Sequence, residues 1–85
     1  MWKKKNNALH ITVEANTFKD AKIFIQEILS LATKHNHHPT LQNTYTTIKL
    51  TLTTHDEGNT ITQKDKDLAE KIRKIVDKRR SLHVA

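Results

Sequence analysis

Three imidazoles and a carboxylate stand out for the chemistry they allow. His37 and His38 are adjacent and followed by Pro39; Tyr45, His55 and Asp65 follow in turn. An imidazole, with an unperturbed pKa of roughly 6.5, both gives and takes protons near neutral pH, so three of them could share acid and base duties. For these residues to act together, the chain must bring positions 37, 38 and 55 to one place.

The elements that could do so are legible from hydrophobic period. Leu9, Ile11, Val13 and Ala15 alternate with His10, Thr12, Glu14 and Asn16, which predicts a strand with one buried face. Thr17 with Asp20 makes a capping-box-like start. Ala21, Phe24, Ile25, Ile28, Leu29 and Ala32 then recur at helical spacing, giving a helix from Phe18 to His35. Pro39 forbids helix beyond it and pushes His38 toward extended backbone.

From Tyr45 to Thr54 alternation returns, with Ile48, Leu50 and Leu52 on one face and Tyr45, Thr47, Lys49, Thr51 and Thr53 on the other. Positions 56–59 hold the only glycine and read as a loop. Thr62 with Asp65 opens a second helix, striped by Leu68, Ile72, Ile75 and Val76 and ending near Arg80. His83 then falls in a tail, and His10 on a solvated strand face.

Length decides the connection between the histidines. A single strand from Thr40 to Thr54 would run about 50 Å at roughly 3.3 Å per residue, longer than ordinary strands, and would carry His55 away from His37. The chain must turn back, most simply near Gln42, Asn43 and Thr44, which returns His55 toward His37 and His38. A turn at Asn6–Asn7 likewise pairs a short strand, Trp2 to Lys5, with the first long one. The expected fold is α+β: an antiparallel four-stranded sheet with two helices on one face, in the order ββαββα.

Composition narrows the function classes. Eighty-five residues suit a single domain over positions 1–85, and a chain this short buries only about 60% of its unfolded surface, which favours oligomerisation. With no cysteine there is no disulfide framework, thiolate zinc site or cysteine nucleophile, and a reducing cytoplasm suits it. The basic start at Lys3–Lys5 leads into no apolar run long enough for a signal peptide or membrane span.

The formal charge of +6 is concentrated at the two ends, with eight Lys and Arg against four Asp and Glu at positions 64–85, while the middle is nearly neutral. A solvated basic helix face explains this better than a nucleic-acid surface, so no nucleic-acid partner is expected. His35, His37, His38 and His55 could ligate zinc or nickel, but their spacing matches no standard motif, and no metal is expected.

The run His37-His38-Pro39, then Tyr45, His55 and Asp65, with Thr54-His55 and Gly58, resembles the pterin-4a-carbinolamine dehydratase family. Thr17 to Ala21 resembles that family's entry to its first sheet-packed helix, and the likeness spans residues 8–76. The resemblance implies dehydration of a 4a-hydroxytetrahydropterin to a quinonoid dihydropterin and water, without cofactor, by a homodimer or homotetramer.

By the same resemblance, His37 and His55 are the acid/base residues and His38 binds or orients the carbinolamine hydroxyl. Pro39, Asp65, Thr33 and Leu41 belong to the substrate-binding surround, with Asp65 a helix cap at the pocket edge and Tyr45 structural. Thr33 stands where the family carries an acidic residue and Leu41 where it carries tryptophan. The helix that many members place before the sheet is not expected here. These departures favour the alternative: a weak or inactive dehydratase fold serving as an oligomerising, protein-binding module.

Overall fold

The alternating segment forms β2, Ala8–Ala15, and its odd-numbered residues supply Ile11, Val13 and Ala15 to the core. A computed structural model describes residues 1–85, in the order β1 (Lys3–Lys5), β2, α1 (Phe18–His35), β3 (Thr40–Thr44), β4 (Thr47–Leu52), α2 (Gln63–Lys78) and β5 (Leu82–Val84). Asn6 and Asn7 both adopt left-handed backbone, at φ 53° and 59°. That is the demand of the two-residue turn joining β1 to β2, and asparagine meets it more readily than most side chains.

The sheet is antiparallel throughout, with path β1–β2–β4–β3. The four expected strands are present, and a fifth joins them. β5 takes the same edge of β2 as β1 but further along, pairing Val13 with Val84 and Ala15 with Leu82. His83 therefore lies in a strand rather than a tail, with its ring on the Asn16 side-chain oxygen at 3.0 Å, and α2 stops at Lys78 rather than Arg80.

The hairpin turn also falls later than its expected place. Thr44 pairs with Thr47, so Tyr45 and Thr46 make the bend. Tyr45 takes φ 52°, an unusual choice for a tyrosine. Two things hold it there: the Asn43 amide donates to the Tyr45 and Thr47 carbonyls, and the ring stacks on Phe18 at 5.9 Å between centroids.

Both helices cover one sheet face. Ala21, Phe24 and Ile28 of α1 meet Leu68, Ala69, Ile72 and Val76 of α2 above Ile11, Val13, Ile48, Leu50 and Leu52. The opposite face carries His10, Thr12, Glu14, Thr47, Lys49 and Thr51 and no helix. Neither helix is long and apolar enough to cross a membrane.

Three chain segments converge at one end of the sheet. Asn36 ends α1 in left-handed backbone, its N–H returning to Ala32 and Thr33 carbonyls. Beyond β4, Thr54 pairs with Thr60, closing a short loop before α2. At the third position of α2 the Asp65 carboxylate reaches back to the Thr62 N–H at 2.8 Å, the capping contact its spacing predicts. Asp65 has no exposed surface. Burial alone pushes its carboxyl up, but the Thr62 N–H, the His37 ring, the Thr54 hydroxyl and the His37 charge outweigh that and hold it below the usual carboxylate range.

Two stability predictions follow from this packing. Phe24, fully buried at the centre of the core, should cost about 3–5 kcal/mol as Phe24→Ala. At about 4–8 °C per kcal/mol, thermal circular dichroism should show a fall well beyond 10 °C. A depressed carboxyl stabilises the fold above its unfolded pKa, about 3.9, and that contribution is lost as pH falls through the lower folded value. Asp65→Asn should therefore lose about 1–3 kcal/mol near neutrality, a deficit that shrinks below about pH 4 in denaturant titrations. A deficit unchanged from pH 7 to pH 2 would show that the charge contributes nothing.

Candidate active site

The converging segments leave an open cleft of about 200 Å³, lined by Asn36, His37, His38, Thr53, Thr54, His55, Asp56 and Lys64. No apolar side chain lines it. The hairpin brings the three histidines to this one place. His37 and His38 arrive from the segment after α1, His55 from the end of β4, and Lys64 from the first turn of α2.

His37 is the anchored member. Its Nε2 lies 2.6 Å from Asp65 Oδ1, and only 11% of its side chain is exposed. An ionised carboxylate only accepts, so Nε2 carries the proton and Nδ1 is left to exchange protons. The other Asp65 oxygen takes the Thr62 N–H and the Thr54 hydroxyl, both at 2.8 Å. Because Thr54 spends its proton on Asp65, the 2.6 Å contact between the Thr54 and Thr62 hydroxyls must be donated by Thr62. Each buried polar group of this Asp65 network is thus satisfied.

His55 is exposed, in a short 3₁₀ turn over His55–Glu57, with Nδ1 2.6 Å from the Asn59 side-chain oxygen. His38 is exposed and enters no such hydrogen bond. The arrangement suits proton transfer: two imidazoles each have one ring nitrogen engaged and the other unengaged, and a third stands between solvent and cleft. No three His, Asp or Glu side chains converge as a metal site requires.

The remaining predicted residues lie outside the cleft lining. Asp65 stands behind His37. Pro39 is half-buried where the chain turns into β3. Leu41, half-buried, packs against the hydrophobic core. Thr33 is exposed on α1, its hydroxyl donating to the Leu29 carbonyl one turn back at 3.0 Å. Tyr45 is at the hairpin tip with Phe18.

The contacts made by Thr54 and Asn59 and the place of Lys64 in the cleft escaped the sequence reading. Thr54 carried a usable signal: it continues the core-facing series Ile48, Leu50, Leu52, and a hydroxyl on a buried face needs a partner. Asn59, beside the only glycine, signalled a left-handed turn but not its contact with His55. Nothing distinguished Lys64 from the other basic residues of α2.

The profile of the family described as pterin 4 alpha carbinolamine dehydratase matches residues 1–75. A Sulfolobus acidocaldarius protein, provisionally named a pterin-4-alpha-carbinolamine dehydratase, is 39% identical over 74 residues, covering 87% of this chain and 80% of its own. A Nostoc punctiforme protein of the same provisional name is 38% identical over 74 residues, covering 87% and 78%.

Among solved structures, a transcriptional coactivator/pterin dehydratase from Brucella melitensis superposes with a TM-score of 0.82 at 32% identity, covering 87% of this chain and 80% of that one. A pterin dehydratase-like RuBisCO assembly factor of the alpha-carboxysome shares the fold, with a TM-score of 0.71 at 14% identity over 88% and 86%. With the sequence profile and these relatives agreeing, the chain belongs to the pterin 4 alpha carbinolamine dehydratase family.

Proposed function

We propose that the protein dehydrates a 4a-hydroxytetrahydropterin. The observation that carries this reading is the pair of imidazoles across one polar cleft, His37 backed by Asp65 and His55 held by Asn59. Loss of water requires a proton on the departing hydroxyl and removal of a proton from the neighbouring ring nitrogen. The nitrogen's electron pair then forms the carbon–nitrogen double bond as the carbon–oxygen bond breaks.

In this scheme His37 and His55 supply and accept the two protons. His38, unengaged at the cleft mouth, binds the hydroxyl. Asp65 holds the His37 ring in one tautomer and balances its positive charge when it is protonated. The wholly polar lining suits a heteroaromatic ring rich in donors and acceptors, and Pro39 sets the direction of the segment carrying both adjacent histidines.

A second reading has its own support. The Brucella melitensis relative is described as a transcriptional coactivator as well as a dehydratase, and Thr33 and Leu41 depart from the family pattern. A chain of this fold could act by holding another protein, with or without turnover.

A direct dehydration assay separates the two. Positioned acid/base groups contribute about 10² to 10⁴-fold each, so His37→Ala and His55→Ala should each slow the reaction at least tenfold. His10→Ala and His83→Ala, whose rings lie on β2 and β5 away from the cleft, should retain the wild-type rate. Equal rates in all four variants, or a folded wild type no faster than buffer, would refute the catalytic reading.

A further inference from the structure

The His55 contact has no counterpart of charge to the one behind His37. Asp65 is a buried anion, whereas Asn59 is neutral and exposed, yet both place an oxygen 2.6 Å from an imidazole nitrogen. We propose that Asn59 is a positioning residue. Resting on the dehydratase reading, its side-chain carbonyl holds His55 in the Nδ1–H form and leaves the Nε2 lone pair as the base of the cleft.

The loop is built to deliver that oxygen. Thr54 and Thr60 tie its two ends, the Thr54 N–H donating to the Thr60 carbonyl at 2.9 Å. Between them the 3₁₀ turn closes with the Gly58 N–H on the His55 carbonyl. Gly58 and Asn59 then take consecutive left-handed conformations, at φ 76° and 57°, which fold the chain back over His55. Asparagine is among the few residues with a side chain that enter this region readily, so position 59 combines the required backbone with a hydrogen-bond acceptor.

The chemical consequence follows from the two ring nitrogens. A carbonyl oxygen has lone pairs and no proton, so the nitrogen facing it must be the one that carries hydrogen. The proton in the dyad then belongs to Nδ1, and Nε2 is the basic nitrogen. Without Asn59, water could serve either nitrogen of this exposed ring, and the neutral forms would interconvert. The site thus holds two oriented imidazoles of unlike electrical support, one backed by an anion and one by a neutral amide.

The test uses the full chain labelled with ¹⁵N-histidine, at a pH above about 8 where an ordinary imidazole is neutral. Long-range proton–nitrogen spectra report which nitrogen of His55 is protonated. Wild type should show Nδ1–H with an unprotonated Nε2. Asn59→Gly keeps the left-handed backbone without strain, and should shift His55 toward Nε2–H while lowering kcat about tenfold, the factor of one orienting hydrogen bond, with little change in KM. Asn59→Asp, which retains an acceptor oxygen, should restore the Nδ1–H form.

A wild-type His55 found as Nε2–H, or a tautomer unchanged in Asn59→Gly, would overturn the proposal. The spectra need no turnover, so failure of the dehydratase reading registers separately. A rate at background beside an Asn59-dependent tautomer would support the orienting contact and refute the catalytic reading alone.

Discussion

A carboxylate with no exposed surface sits where three parts of the chain meet, and the rest of the site is arranged around it. Removing an anion from water is costly unless its lone pairs are filled. Asp65 fills them with the Thr62 N–H, the Thr54 hydroxyl and the His37 ring. Those donors come from the cap of α2, the end of β4 and the segment leaving α1. A single charge therefore ties together elements separated by 28 residues of sequence and orients the half-buried His37.

This arrangement gives the cleft two unlike halves. The His37 half is buried, charged and continuous with the packing of α2 on the sheet. The His55 half is exposed and rests on a loop whose ends are pinned but whose acceptor is a neutral amide. Electrostatic interactions strengthen as water is excluded, so Asp65 holds its imidazole more firmly than Asn59 can. Two imidazoles that line one cleft are thus held in two different environments.

Much of the fold and part of this site were legible because they rest on period and local chemistry. The bounds of α1 followed from Thr17, Asp20 and the apolar spacing, and the β1–β2 turn from Asn6–Asn7. The β3–β4 turn was not legible: Tyr45 takes the left-handed position usually filled by Gly or Asn, through contacts with Asn43 and Phe18 that exist only in the folded chain. β5 was hidden because three residues carry too little alternation, and only Leu82 of them is buried. The convergence of His37, His38 and His55 could be argued from strand length alone. The partners of two of them were harder, since a capping aspartate looks the same whether or not a histidine lies beyond it.

One clue did exist for Asp65, and it bears on how site and fold are related in so short a chain. The residue lies on the buried stripe of α2, one turn before Leu68 and Ala69, where an apolar side chain would be expected. Thr54 interrupts the core-facing series of β4 in the same manner. Both polar residues end runs of otherwise apolar positions, and they end them at the same place. A small domain has little core to spare, yet here a hydrophobic contact between α2 and β4 is replaced by a satisfied polar network. The replacement is consistent with a fold that gives up some apolar packing at one end of its sheet to hold an imidazole still.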